Sequence, residues 1–268
     1  MSNDVVKKEE NLPAFMSEMY EDAGAGFENV SQDDIRIPLV KIAQALTPQT
    51  KPNKAEYIQG LVEGIPFNSA NNRIYPDGFN FIPVYYSKTY LEWVPQTKGG
   101  GLAGVHGPDI LKQTHKDDQG RDMLANGNEV VTYAQWFGLI LNDDGVVDQV
   151  VIPMKGAAHK PSRNIMTVLK ALMIDGPKGK FNPPLYFNVL KFTTVAETNK
   201  NNQDYFNWKI TREGDINNLP NSGEVYGICK NLFNSIKDGT VRAAEDGTVR
   251  AAEDVAEGQA SADEDIPF

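Results

Sequence analysis

Cysteine is all but missing from these 268 residues, Cys229 being the only one. A lone thiol forms neither an internal disulfide nor a cysteine-based zinc site, which suits a reducing compartment. Histidine is nearly as scarce: His106, His115 and His159 lie far apart, with no H-E-x-x-H pattern and no acid–base partner at a recognisable spacing. No apolar run approaches the ~18 to 20 residues of a membrane span, and the opening "MSNDVVKKEE" has no secretory apolar segment. The expectation is a soluble cytoplasmic protein without membrane contact. With 40% hydrophobic and 23% charged residues the chain is neither fibrous nor wholly disordered, and it is long enough for one large domain or two small ones.

A net charge of -10 argues at first against a polyanionic partner. The charge is segregated, however. Residues 1–34 carry nine acids and two lysines, and residues 238–268 carry nine acids and two arginines. The stretch between them therefore holds 22 basic and 18 acidic side chains, a mildly basic body with acidic ends. An acidic end can compete with a polyanion for the same basic surface.

Three regions are expected. Residues 1–34 form an acidic arm with a short amphipathic helix, in which Leu12, Phe15, Met16, Met19 and Tyr20 follow helical spacing before Gly24 and Gly26. Residues 35–237 form the body. Residues 238–268 form a disordered acidic tail, with "DGTVRAAE" at 238–245 repeated at 246–253 and too few large apolar residues to offset ordering entropy.

In the body, alternating β-branched and aromatic runs predict strands at 79–94, 130–141, 146–154, 184–197 and 204–212. "NDDG" reads as the turn joining the second and third, and "TNKNNQ" as the turn joining the last two. A helical stripe of Ile165, Val168, Leu169, Leu172 and Met173, opened by Pro161 or Ser162 and closed by "DGP" at 175–177, falls between the third and fourth strands. A last helix shows Val225, Ile228, Cys229, Leu232, Phe233 and Ile236 on one face, which makes Cys229 a core thiol rather than a nucleophile. This order predicts a mainly β, α+β fold: a five-stranded OB barrel with a helix between strands three and four, a C-terminal helix and the tail. A doubly wound sheet needs a helix after nearly every strand, and 79–154 has none.

Fifteen of the 25 aromatics fall in those strands, and period-two alternation lets only about half of them face a barrel core. Lysines and arginines are interleaved. Rings stack on unpaired bases while cations follow phosphates, the pattern of a groove for single-stranded nucleic acid. The DNA-facing set is Tyr86, Lys88, Trp93, Lys98, Tyr133, Trp136, Lys155, Lys160, Arg163, Tyr186, Lys191, Tyr205 and Lys209. In the last strand Tyr205, Asn207, Lys209 and Thr211 form the polar face, with Phe206, Trp208 and Ile210 in the core; one residue of register slip exchanges the two faces.

Catalytic signatures are weak. The G-x-G-x-x-G at Gly99 to Gly104 is followed by Gly107 and Pro108 rather than a helix, so it reads as a mobile loop between strands one and two. Asp143, Asp144 and Asp148 would be a conceivable Mg²⁺ site for a nuclease, but a hairpin turn accounts for the first two. No enzyme, cofactor or metal is expected.

The sequence closes on "DEDIPF", Asp263, Glu264, Asp265, Ile266, Pro267 and Phe268, an apolar end after acidic residues that can seat a ring in a partner's pocket. This hexapeptide resembles the acidic tip of bacterial single-stranded DNA-binding proteins, which recruits replication and repair enzymes. "FENVSQDDIRIPLVKIAQ" (27–44) and "YLEWVPQTKGGGLAG" (90–104) are similar to a bacteriophage-encoded family of single-stranded DNA-binding proteins. The resemblances imply a bacteriophage protein of the bacterial host cytoplasm. It would bind single-stranded DNA with little sequence preference in replication, recombination or repair, and recruit host or phage proteins through residues 263–268. Self-association is an open possibility. The alternative is a transcription or recombination accessory protein that brings a host enzyme to DNA, with strand binding secondary.

Overall fold

Prolines and glycines set where the strands of this chain bend. A computed structural model describes residues 15–29, 36–142, 147–199, 202–239 and 242–243. The chain divides into two units, Met1–Ile35 and Arg36–Phe268. In the first, helix α1 spans Phe15–Glu21, with Phe15, Met19 and Tyr20 exposed. Leu12 of the predicted stripe lies outside the described residues, as do residues 143–145 of the turn "NDDG", Lys200 and Asn201 of "TNKNNQ", the second octapeptide repeat and residues 263–268.

The second unit begins with β1 (Arg36–Ile37), β2 (Val40–Ile42) and β3 (Pro66–Asn68), the last two forming a small antiparallel ladder. Then come β4 (Phe79–Trp93), the short strands β5 (Leu102–His106), β6 (His115–Lys116) and β7 (Asp122–Met123), and the long strands β8 (Glu129–Leu141) and β9 (Val147–Lys155). Helix α2 (His159–Ala171) follows, then a hairpin of β10 (Ile174–Gly176) and β11 (Gly179–Phe181). Strands β12 (Asn188–Thr198) and β13 (Asp204–Asp215) lead to α3 (Ser222–Lys237) and to β14 (Arg242–Ala243), which pairs parallel with β1.

The main sheet is antiparallel and curled into a half-barrel. Its long strands lie in the order β9, β8, β4, β12, β13. Strand β4 is the hinge of the curl, because its first residues pair with β12 and its last with β5. Pro83 cannot donate to the ladder, and the register with β8 shifts between Pro83 and Tyr85, the bulge that bends the strand. Gly138 sits opposite Pro83, where a Cβ would come within 2.1 Å of the Ile82 carbonyl oxygen and 2.5 Å of the Phe81 ring, so only glycine fits.

Both faces of the sheet are covered, which explains why "FGLIL" and "VVI" read as continuous apolar runs rather than alternating ones. The inner core joins Phe79, Phe81, Trp136, Ile152, Leu190, Phe192 and Trp208 under Ile165 and Leu169 of α2. On the other face Ile82, Val84, Leu139, Val151 and Val189 meet Val225, Cys229 and Leu232 of α3. Cys229 is fully buried, and desolvation pushes its thiol up to about 12, the behaviour of an inert core residue.

The edge strands β9 and β13 are spanned by residues 38–44. The Val151 amide donates to Pro38, and Leu39 bridges Val151 in parallel. At the far end Gln44 completes a ladder with its side chain: Nε2 donates to the Phe206 carbonyl at 2.7 Å, and Oε1 accepts from the Phe206 amide at 2.9 Å. Gln44→Ala strands both Phe206 groups; it is expected to cost about 1–3 kcal/mol, seen as a lower urea midpoint with unchanged slope.

Several expectations need correction. The predicted five strands are the five long ones, but the main sheet has eight, because residues 95–128 supply β5, β6 and β7 where a plain loop was expected. The fourth long strand starts at Asn188 rather than 184. Pro183 and Pro184 lead instead into a 3₁₀ turn over Leu185–Phe187, so Tyr186 and Phe187 are not strand residues. Helix α2 begins at His159; its Val168 is exposed, as is Met173 just beyond it, and "DGP" lies in the β10–β11 hairpin rather than capping the helix.

Candidate nucleic-acid interface

Where the ends of β9 and β13 approach the start of α2, three adjoining depressions merge into one groove. The first is lined by Lys41, Ile42, Gln44, Pro153, Lys155 and the Tyr205–Trp208 stretch. Ala157, Tyr205 and Asn207 are shared with the second, which adds Lys160, Arg163, Glu197 and Thr198. Gly156 and Arg163 are shared with the third, which runs past His159, Tyr86, Lys88 and Tyr90 to Lys116 and Arg121 on the β6–β7 hairpin. Seven cations, Lys41, Lys155, Lys160, Arg163, Lys88, Lys116 and Arg121, line this path against the carboxylates Glu197, Asp122 and Glu129. The acids of the body are mostly elsewhere, which gives the groove its positive field.

The local sequence explains how these side chains are held. Gly156, with φ +55, turns the chain out of β9 into a 3₁₀ turn over Gly156–Ala158 that runs directly into α2. Ala158 supplies no side-chain cap; the His159 amide donates instead to the Gly156 and Ala157 carbonyls, and Pro161 in the first turn has no N–H to satisfy. The His159 ring holds the turn against the sheet by donating from Nε2 to the Thr132 carbonyl at 2.7 Å. Across the groove Tyr205 donates its hydroxyl to Glu197 at 2.6 Å, and Asn207 donates to the same oxygen at 3.0 Å. These two hydrogen bonds hold the Glu197 carboxyl below its ordinary range, with Lys160 adding to the effect. The Tyr205 phenol is pushed up by the same carboxylate. Its ring is thereby fixed at the hydroxyl end. Lys88 sits 5.6 Å over the Tyr90 ring, and Tyr86 stands edge-on to Trp136 at 5.3 Å.

Electrostatic strength varies along the path. Lys116 is paired with Asp122 at 2.7 Å, and Arg121 is forked onto Asp117 and approaches Glu129 at 3.7 Å. Lys155, Lys160 and Arg163, all exposed, occupy the centre of the path.

Six of the sequence-predicted residues come together here: Tyr86, Lys88, Lys155, Lys160, Arg163 and Tyr205. The others do not. Trp136 is fully buried and donates its indole N–H to Ser162 at 2.8 Å, and Tyr133 is buried as well, so neither ring is open to a base. Trp93 lies outside the three, in a fourth depression that shares Arg121 and Glu129 with the third, and Lys98 donates to the Asn126 carbonyl in the turn between β7 and β8. Tyr186 packs edge-on to Tyr226 and Phe233 beside α3. Lys191 and Lys209, which alternate with the core residues Leu190, Phe192 and Trp208, line none of the three depressions. Asn207, expected on the polar face, is buried, whereas Trp208 takes the core position predicted for it. Lys41, Lys116, Arg121 and Glu197 escaped the sequence reading: Lys41 and Lys116 lie in very short strands and Arg121 in the turn between β6 and β7, none with a periodicity to read. Only Glu197 was signalled, by its cross-strand position opposite Tyr205.

Among the described residues no group of three His, Cys, Asp or Glu side chains could hold a metal ion. Asp148 is committed to Asn142 at 3.0 Å and Arg73 at 3.5 Å. No helix among them is long and apolar enough to cross a membrane.

The family described as Pam3 phage gp34-like protein matches residues 6–242. The chain belongs to this family. Its name carries the bacteriophage origin that the sequence led one to expect, at that coarse level. The match to the gp34-like family takes in every long strand, α2, α3 and the groove, and stops short of the second octapeptide repeat. No curated protein and no solved structure matches the chain.

Proposed function

We propose that this gp34-like chain is a non-enzymatic binder of single-stranded DNA with little sequence preference. The observation that carries the reading is the groove in which the part-exposed rings of Tyr86 and Tyr205 alternate with Lys88, Lys155, Lys160 and Arg163, Tyr90 being buried beneath Lys88. Rings stack on any base and cations follow the backbone, so such a groove grips a strand without reading its sequence. The connectivity supports an OB barrel: in chain order the five long strands lie 3-2-1-4-5 across the sheet, with α2 between the third and fourth and with the two outer strands facing the gap that residues 38–44 span. In this reading residues 263–268 recruit host or phage replication, recombination or repair proteins, and the protein shields strand intermediates. The ion pairs that neutralise Lys116 and Arg121 favour a second reading, an accessory protein with weak strand binding whose main task is recruitment.

Fluorescence anisotropy of labelled oligo(dT) and of duplex DNA, at two salt concentrations, tests both. The expected result is preference for the single strand and a log–log salt slope of about -0.7 per phosphate neutralised. Weak binding with the same strand preference favours the accessory role, and no preference for the single strand removes the proposal.

A further inference from the structure

Among the described residues the tandem octapeptide contributes one strand, and the sequence supplies the octapeptide twice. Its first copy, 238–245, contributes β14, whose Arg242 and Ala243 stand opposite Arg36 and Ile37 in a parallel ladder. Its second copy, 246–253, carries the same Arg-Ala pair at 250–251, with the same valine before it and the same Ala-Glu after it. A two-residue backbone ladder cannot tell these copies apart.

The acceptor does not depend on the donor. Ile37 is buried among Leu39, Leu139 and Val151, and Pro38 accepts from the Val151 amide, so β1 is held from its other side. The end of α3 is equally independent: Asp238 donates to Asn234 at 2.9 Å, and Gly239, with φ +74, donates to Ile236 at 3.1 Å. That cap belongs to the first copy and survives whichever copy forms the strand.

We infer that β1 is a strand-acceptor site for either copy of the octapeptide, Arg250–Ala251 exchanging with Arg242–Ala243 opposite Arg36–Ile37. The exchange moves the following segment by eight residues. The link from α3 to the strand is then residues 238–249 instead of 238–241, and loop closure with a three-halves power of length disfavours the shifted register about fivefold. The shifted register remains populated because nothing else distinguishes the copies. Its consequence is a shorter tether to the acidic hexapeptide, residues 252–262 rather than 244–262, which contracts the root-mean-square reach from about 24 Å to about 18 Å for a flexible chain. The inference stands on the ladder and the repeat, not on the nucleic-acid reading.

Cysteine cross-linking in the full-length chain tests it. Two double variants, Arg36→Cys with Arg242→Cys and Arg36→Cys with Arg250→Cys, are oxidised mildly and mapped by peptide mass spectrometry. A control, Arg36→Cys with Ala256→Cys, places the second thiol out of repeat register, and the native Cys229 is buried and does not compete. Both in-register pairs are expected to close within one chain, the second at roughly a fifth of the initial rate of the first, and each faster than the control. Closure of the 36–250 pair no faster than the control, its closure only between chains, or failure of the 36–242 pair each overturns the inference.

Discussion

Replacing Lys160 and Arg163 together by alanine is expected to weaken binding of oligo(dT) by roughly 10- to 100-fold at low salt. The two side chains lie one helical turn apart at the start of α2, both exposed, at the junction where the depressions of the groove merge. Neither supports the core, so folding stability should change by no more than about 0.5 kcal/mol. The salt dependence separates a phosphate role from a general loss of fold. Two lost phosphate contacts shrink the slope by about 1.4, leaving a weaker complex that is also less sensitive to salt. Anisotropy titrations at several salt concentrations, with thermal unfolding as the control, measure both numbers. Unchanged affinity in a folded variant would remove α2 from the interface and with it the centre of the proposed groove.

The second large effect concerns Trp136, which the sequence placed toward DNA and the structure places in the core. Trp136→Ala empties a fully buried site between Tyr86, Ile152 and α2 and is expected to destabilise the fold by about 3–5 kcal/mol. Trp136→Phe keeps most of the volume but removes the donor to Ser162, itself buried, at a cost of about 1–3 kcal/mol. Adding Ser162→Ala to the phenylalanine variant should recover part of that loss, because no buried hydroxyl is then left without its partner. Urea titration measures all three. The phenylalanine variant should bind oligo(dT) as the parent does at temperatures where it is folded. Lost binding at unchanged stability would instead restore Trp136 to the interface.

The contrast between Trp136 and Tyr205 shows what was legible from residue order. Both lie in strongly aromatic strands, and alternation offers each an even chance of facing inward. Trp136 is lost to the interior because β8 is central in the sheet, with β4 and β9 on its two sides and α2 packed over the ring. Tyr205 stays accessible because β13 is an edge strand and its hydroxyl finds Glu197 across the hairpin. Position within a sheet is a nonlocal property, and no window of sequence contains it. Lys191 and Lys209 illustrate the same point for cations: their strand and spacing were right, but the groove lies elsewhere.

Residue order alone determined the number and sequence of the long strands, the helix between the third and fourth, the buried thiol stripe of α3 and the separation of a basic body from acidic ends. Those features follow from local periodicity, turn chemistry and charge counting, which act over a few residues at a time. Tertiary structure decided which aromatic rings remain outside, how residues 38–44 reach from one edge strand to the other, and that Lys41, Lys155, Lys160, Arg163 and Lys88 share one path. Such choices depend on the curl that Pro83 and Gly138 impose on the sheet, which brings into proximity residues far apart along the chain.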